Sequence, residues 1–551
     1  MQLGLHHARE WPSAEHTLEF AYELIKGWKS GNQRIRRLMK RSRVVFVPIV
    51  NPDGFNLSRE AGVAVADSGR DAPAGDETAN LVIPYEYHRK NCAYTDPNSG
   101  EGGDCQQGGP NSGVAQFGVD PNRNYGGFWG GPGASAPDSA PFGESAADYR
   151  GPGPFSEPET RNIQKLVSKR QVVTFITNHT FSNLVLRPPG VQAAGNPPDA
   201  RVLKRFADAM AAENGYSSQF GYQLYDTTGT TEDWSYWSTG GLGFTFEIGP
   251  SAFHPNYDSM IAEYRGTTET AGDGGGNRAA YIKALRGTVN RKRHSLIKGS
   301  APAGSFLTLR KSFRTPTSPV LDGAGEEGDV IRFRDRLKTT LRVRRSGRFA
   351  WHVNPSTRPL VDPRRDLPKP KKGRPSDPEE FTGTPGPDAA PCADFDTEDP
   401  SCWNDHPFRV KGGPGIDNGT ATVRVSWSDP VSDWDMKVYR DSDGDGSSEG
   451  EEELVGSSGN STGTNIEETT IVKPGLRRGK YVVRVINYAA ASPYDGLVTF
   501  GKTEKGDVKQ RRERWTLTCR ARKGGQVLSR SKVLVDRGDI ARVDLRSACS
   551  G

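Results

Sequence analysis

Two histidines stand side by side near the start of the chain, in "LGLHHAREWPSAEH" (3–16), and Glu10 follows His7 at a spacing of three. A short apolar run precedes them, and Pro12 and Ser13 suit a helix start, so His7 and Glu10 flank a strand–helix junction. A histidine and a carboxylate so placed can reach one metal ion from one side. His6 has no such companion, because the residue three further on is Arg9, which cannot bind a cation. Alone, His-x-x-Glu is a weak signal that a solvated helix start also produces. Two further residues join it. His179 follows "VVTFIT" and Glu247 closes "GLGFTFE", each at the carboxyl end of a predicted strand. Open α/β sheets bind ligands at those ends. Two His and one Glu leave a fourth position for water, the pattern of catalytic zinc, and a nearby unliganded carboxylate can take a proton from that water.

The elements that must position these residues lie in the first 295 residues. "VVFVPIV" (44–50) is a continuous apolar run, as expected of a strand buried on both faces, and "QVVTFIT" and "GLGFTFEI" are alike. Between them lie helical patterns. Leu18, Ala21, Ile25 and Trp28 recur at helical spacing, "PETRNIQKLVSKR" (158–170) is amphipathic, and "DARVLKRFADAMAAENG" (199–215) ends on a glycine suited to a C-cap. Strands alternating with helices predict an α/β domain with a mixed, mostly parallel sheet, followed by all-β modules.

The bulk composition limits the function. A chain of 551 residues predicts about two to four domains. Net charge is only +6, and no basic stripe interleaved with aromatics appears, which argues against a dedicated nucleic-acid binder. "RIRRLMKRSR" (34–43) and "RDRLKTTLRVRR" (334–345) read as solvated helix or strand faces. No apolar run approaches the roughly 18 residues of a membrane span, and no signal peptide is visible. Six cysteines fall in close pairs: Cys92 with Cys105, Cys392 with Cys402, and Cys519 with Cys549. These read as local disulfides in an oxidising, extracellular compartment.

The motifs "HAREW", "NPDG" (51–54), "RKN" (89–91), "GVDPNRNY" (118–125), "NHTFS" (178–182) and "TTEDWSYW" with "FTFEIGP" (230–250) occur in the order of the zinc metallocarboxypeptidases. Residues 1–295 resemble the pancreatic carboxypeptidase A/B type and its secreted bacterial relatives. The resemblance implies a peptide hydrolase with one zinc per chain, held by His7, Glu10 and His179. It implies Glu247 as the general base, and Arg89 as the group that polarises the scissile carbonyl and stabilises the oxyanion. Asn122 and Arg123 match the pair that grips the substrate's terminal carboxylate. Tyr225 matches the mobile tyrosine that caps the substrate, and Arg9 a contact further from the cut. Glu232, two residues before Trp234, matches a residue lining the pocket for the final side chain. A buried carboxylate there favours acceptance of Lys or Arg alongside apolar residues, the alternative being a structural Glu232 with a broad apolar preference. Two departures stand out. Several family strands and a helix precede the first metal motif, whereas six residues precede His7 here, so a truncated start is expected, with any signal peptide lost. Phe181 stands where many relatives have tyrosine, which alters pocket polarity.

A second constellation, "DSDGDGSSEGEE" (441–452), places Asp441, Asp443, Asp445 and Glu452 at positions 1, 3, 5 and 12 of a calcium-loop pattern. Its flanks look like strands, so an Asp- and Gly-rich hairpin tip is the alternative. The expected organisation is a catalytic domain (1–295), a small β module (296–362), a Pro-rich linker (363–405), a β-sandwich (406–504) and a disulfide-tied hairpin region (505–551). The predicted function is a secreted zinc carboxypeptidase acting on peptides and proteins, with β-modules that bind a cell surface or polymer. Rival readings are a murein-peptide hydrolase on the same fold and an inactive adhesive protein.

Overall fold

A computed structural model of the chain describes residues 1–66, 85–92, 118–137, 146–191, 194–250, 252–267, 275–356, 379–385, 400–411, 419–429, 432–448, 453–459, 466–471, 476–487, 490–502 and 513–550. Strands β1 (Gln2–Leu3), β2 (Phe46–Val47), β3 (Thr174–His179), β4 (Leu184–Arg187), β5 (Ser217–Phe220) and β6 (Leu242–Glu247) form one sheet in the order β2-β1-β3-β6-β4-β5. The pairs β2–β1, β1–β3, β3–β6 and β4–β5 are parallel and β4–β6 is antiparallel, so the sheet is mixed and mostly parallel. β3 and β6 are buried along their whole length, as their continuous apolar runs require. β2 lies at the sheet's edge and is only half-buried, because it has one neighbour rather than two.

Helices α1 (Trp11–Lys29), α2 (Gln33–Arg41), α3 (Pro52–Ala66), α4 (Pro158–Val167), α5 (Ala200–Asn214), α6 (Thr231–Asp233), α7 (Tyr257–Arg265) and α8 (Gly276–Thr288) accompany this sheet. α5 ends at Gly215 with φ +77°, the left-handed C-cap expected from its sequence. α1 corrects the sequence reading. It buries Phe20, Leu24 and Gly27, while Leu18, Ile25 and Trp28 are exposed. Both stripes are apolar at helical spacing. The deciding contact is at Gly27, where an added Cβ would come within 2.9 Å of Ile35 on α2, so α2 claims that side of the helix.

The β region is built differently from its expected pieces. β7 (Ser295–Ser300), β8 (Phe306–Leu321), β9 (Glu327–Arg342) and β10 (Arg348–Val353) follow the α/β domain. At the far end of the chain come β19 (Glu513–Arg520), β20 (Val527–Val535) and β21 (Ile540–Asp544). β19 pairs with β8 and β21 with β7, giving sheets β20-β19-β8-β9 and β10-β7-β21. The segments expected as 296–362 and 505–551 therefore share their sheets and one core, with Leu307, Leu309, Trp515, Leu517 and Val535 buried together. Between them lies a sandwich: β11 (Glu379–Gly383), β18 (Tyr494–Lys502), β13 (Gly419–Trp427) and β16 (Ile466–Ile471) face β12 (Trp403–Val410), β17 (Gly479–Asn487), β14 (Trp434–Asp441) and β15 (Glu453–Ser458). β11 falls inside the segment expected as linker. It pairs with β18, and Phe381 stacks on His406 with ring centroids 4.4 Å apart, so this stretch holds structure its polar flanks hide.

Cys519 and Cys549 form a disulfide. Cys92 and Cys402 are also disulfide-bonded, and their expected partners Cys105 and Cys392 lie outside the described residues. Among the described residues no helix is long and apolar enough to cross a membrane.

Candidate active site

Three strand ends and two loops bring the sequence-predicted residues together. β3 and β6 are in register with His179 directly beside Glu247. β1 ends two residues before Leu5, whose φ of +53° turns the chain toward His6 and His7. Gly4 is needed at this bend, since a Cβ there would lie 2.4 Å from the Ser13 carbonyl oxygen. Ser13 clamps the loop: its Oγ accepts from the Leu5 N–H at 2.8 Å and donates to the Glu10 carbonyl at 2.6 Å. Asn51, from "NPDG", donates to the carbonyls of His6 (3.1 Å) and Lys90 (2.8 Å), tying the histidine loop to the segment that carries Arg89.

The centre is buried and densely charged. His7, Glu10 and His179 are all buried, and one ligand atom from each lies within 4.8 Å of the others. The two Nδ1 atoms of His7 and His179 face each other at 3.1 Å. Glu10 places Oε1 2.6 Å from His7 Nδ1 and Oε2 2.8 Å from His179 Nδ1. Burial alone would raise the Glu10 carboxyl, but the two imidazoles outweigh it and hold it below the usual carboxylate range. Two nitrogens and a carboxylate converging from one side are the donor set that zinc takes.

A second layer fixes the ring orientations. His7 Nε2 meets Asp120 Oδ1 at 3.0 Å, and His179 Nε2 meets Thr177 Oγ1 at 3.1 Å. Asp120 also accepts from Arg89 Nε and Nη2 at 3.0 and 2.9 Å. Burial would raise the Asp120 carboxyl, yet Arg89 and then His7 keep it well below its ordinary value. Thr177 Oγ1 lies 3.0 Å from His6 Nδ1, and His6 Nε2 lies 2.9 Å from the Tyr125 hydroxyl and 3.2 Å from Thr231 Oγ1. Sequence reasoning passed over His6, Asp120 and Thr177. Asp120 lies inside the quoted "DPNR", and its offset of two from Asn122 was the one available signal.

The remaining predicted residues have the following surroundings. Glu247 is buried, and among the described residues no cation lies within bonding distance of it. Burial is the main cause that pushes its carboxyl up to about 8, with Glu10 and Glu232 adding to it and His179 and Arg89 opposing. Asn122 Oδ1 accepts from the Thr231 N–H (3.0 Å) and hydroxyl (2.6 Å), which fixes the orientation of its amide. Arg123 donates from Nε to the Gly133 carbonyl at 2.8 Å and lies 5.9 Å from the centroid of the half-buried Tyr225 ring. Arg9 stacks over Phe253 at 4.1 Å. Glu232, in α6, is buried, and its Oε2 has no hydrogen-bond partner among the described residues. The other cluster, Asp441, Asp443 and Asp445, is brought together at the tip of β14, with Glu452 outside the described residues.

Comparison with known proteins finds zinc carboxypeptidases. A profile described as zinc carboxypeptidase matches residues 3–270. The chain is 28% identical to carboxypeptidase A2 of Rattus norvegicus over 256 residues, 45% of this chain and 50% of that protein. It is 27% identical to a zinc carboxypeptidase of Saccharothrix mutabilis subsp. capreolus over 264 residues, 46% of this chain and 52% of the relative. The chain thus spans about half the length of the curated relatives it matches. The crystal structure of carboxypeptidase A from Helicoverpa armigera aligns with a TM-score of 0.34 at 20% identity, covering 52% of this chain and 60% of that one. The similarity to zinc carboxypeptidases thus lies in the α/β region of the chain, residues 3–270.

Proposed function

We propose that the chain is a secreted zinc carboxypeptidase that releases the C-terminal residue of peptides and proteins. The observation that carries this reading is the convergence of His7, Glu10 and His179 within 4.8 Å, with Glu247 beside His179 across β3 and β6. His7, Glu10 and His179 would hold zinc, one per chain, and zinc there supplies Lewis acidity to the scissile carbonyl and the attacking water. Glu247 takes the proton of that water and returns it to the leaving amine. Its buried position suits both acts, because a carboxyl poised near neutrality can accept and then donate. Arg89, locked by Asp120, presents its guanidinium to the developing oxyanion without having to reorganise. Asn122 and Arg123 hold the terminal carboxylate, which restricts cleavage to the last peptide bond, and Tyr225 closes over the bound residue. Arg9 meets the substrate further from the cut.

Glu232 supports a preference for C-terminal Lys or Arg. A buried carboxylate with an unpartnered oxygen gains most from a cation delivered by the substrate. Disulfide-bonded Cys92, Cys402, Cys519 and Cys549 support an oxidising compartment. The test is ladder sequencing of a peptide mixture with and without a chelator. Stepwise loss of C-terminal residues, fastest at Arg and Lys and stopped by the chelator, is expected. Internal cuts, or trimming that the chelator leaves untouched, would overturn the proposal.

A further inference from the structure

Away from the active site, the outer face of sheet β20-β19-β8-β9 carries charge of one sign. Along β9, Arg332, Arg334, Arg336, Lys338 and Arg342 are exposed, and Asp335 and Leu337 between them are buried. The register extends the face across the sheet. Arg310 stands opposite Lys338 and Arg314 opposite Arg334. Thr516 stands between Arg310 and Lys532, and Thr518 opposite Arg530. The stretches 306–314, 332–342, 514–520 and 530–534 contain one acid, Asp335, and it points to the buried side. Three ion pairs of this module, Lys311 with Glu513, Arg546 with Asp544 and Arg537 with Asp199, lie off this face. Like charges directly across a strand pair destabilise the sheet, and a face that only meets water is better served by mixed signs. The arrangement has a use when an anion lies across it.

We propose that this face docks a flexible linear polyanion, a phosphodiester polymer without bases. Charge complementarity is the first argument. Arginine outnumbers lysine, and its planar fork pairs with phosphate oxygens two at a time. Same-face residues along a strand recur every 6.6 Å or so, about the repeat of an extended phosphodiester chain. A twisted sheet suits a flexible occupant, since a planar bilayer or a stiff duplex meets only part of it. Among the described residues the one ring at its border, Phe306, is half-buried with Arg342 lying 5.8 Å over it, so unstacked bases find no platform and single-stranded nucleic acid is disfavoured. The opposite side of the same sheet is fixed to the α/β domain. Asp335 accepts from Trp234 Nε1 at 3.1 Å and from Gln164 Nε2 at 3.0 Å, and Phe333 packs edge-on to Phe155. A polymer held on the outer face therefore tethers the peptidase itself.

The experiment uses the full chain and a fluorescent poly(glycerol phosphate), with anisotropy read at several salt concentrations. Binding that weakens steeply with salt is expected. The triple change Arg334→Ser, Arg336→Ser and Lys338→Ser should weaken it at least tenfold and flatten the log–log salt slope by about 2, at about 0.7 per lost phosphate contact. Arg310→Ser with Arg314→Ser, on the neighbouring strand, should act in the same direction and serves should the triple variant misfold. Arg201→Ser with Arg205→Ser, on the exposed side of α5, should leave binding unchanged. Salt-insensitive or absent binding, or equal loss in the α5 control, overturns the proposal. Tighter binding to duplex DNA or to phosphatidylserine vesicles than to the polymer overturns the choice of occupant.

Discussion

The His7–Glu10–His179 and Asp441–Asp443–Asp445 clusters each gather ligand atoms within 4.8 Å, yet their lone pairs are spent differently. The aspartates sit on one hairpin turn, and Asp443 and Asp445 are exposed. Their oxygens serve the local backbone: Asp441 Oδ2 accepts from the Gly446 N–H (3.2 Å), Asp443 Oδ1 from Asp445 (3.1 Å) and Asp445 Oδ1 from Ser447 (2.7 Å). Such contacts shape a turn without any ion. In the other cluster, among the described residues, no backbone donor bonds the Glu10 carboxylate, and two buried ring nitrogens face one another. Burying such groups is costly unless a cation offsets it. Spacing in sequence finds both clusters. What separates them is whether the acceptor atoms are already in use.

The largest effect should come from the buried cluster. Glu10→Gln or His179→Ala should weaken zinc binding by more than about 100-fold and abolish C-terminal release, as measured by metal content after dialysis and by peptide hydrolysis. Full metal and full activity in both variants would break the contrast at its root.

Next comes Glu247→Gln, which should keep zinc and lose about 10²–10⁴-fold in kcat. The metal-free chain adds a pH signature. The Glu247 carboxyl is raised from 4.5 to about 8, so the folded state keeps a proton that the unfolded state has lost over that window. Stability due to this residue therefore falls as pH rises from 4.5 toward 8. Melting curves of the metal-free wild type should decline relative to Glu247→Gln across this range. Parallel curves would show that the site is wetter than described.

A smaller change is expected at the layer behind the ligands. Asp120→Asn weakens the acceptor on His7 Nε2 and the partner of Arg89 together, so zinc affinity should fall about 10–100-fold, with kcat reduced as well. Calorimetric zinc titration distinguishes this from a change confined to turnover.

The smallest effect belongs to the hairpin. Asp443→Ala should alter stability by no more than about 0.5 kcal/mol, and millimolar calcium should leave the melting temperature nearly unmoved. A calcium-induced rise of several degrees that Asp443→Ala removes would make the hairpin a cation site and erase the distinction.

The sequence disclosed those features that short contiguous motifs carry. His179 and Glu247 were legible because each closes an apolar run, and strand ends are where α/β sheets bind ligands. His7 and Glu10 were legible from one spacing. His6 was set aside because its neighbour at three is arginine, although its use is to bridge Thr177, Tyr125 and Thr231. The buried side of α1 was not legible, since two apolar stripes compete and α2 decides between them at Gly27. Nor was the union of β8 with β19, because local periodicity holds no record of a partner some two hundred residues away.

That union governs the order in which the molecule can be built. β8 leaves the ribosome early enough to pair with β9, and Asp335 can then meet Trp234 of the finished α/β domain. The other edge of β8 must wait while the whole sandwich is made, and it closes only when β19 arrives, with β21 completing β7 last. Contacts so distant in sequence form slowly. During synthesis the chain thus holds a nearly complete α/β domain beside a sheet with one open edge, and the strands β19 to β21 act as the fastener.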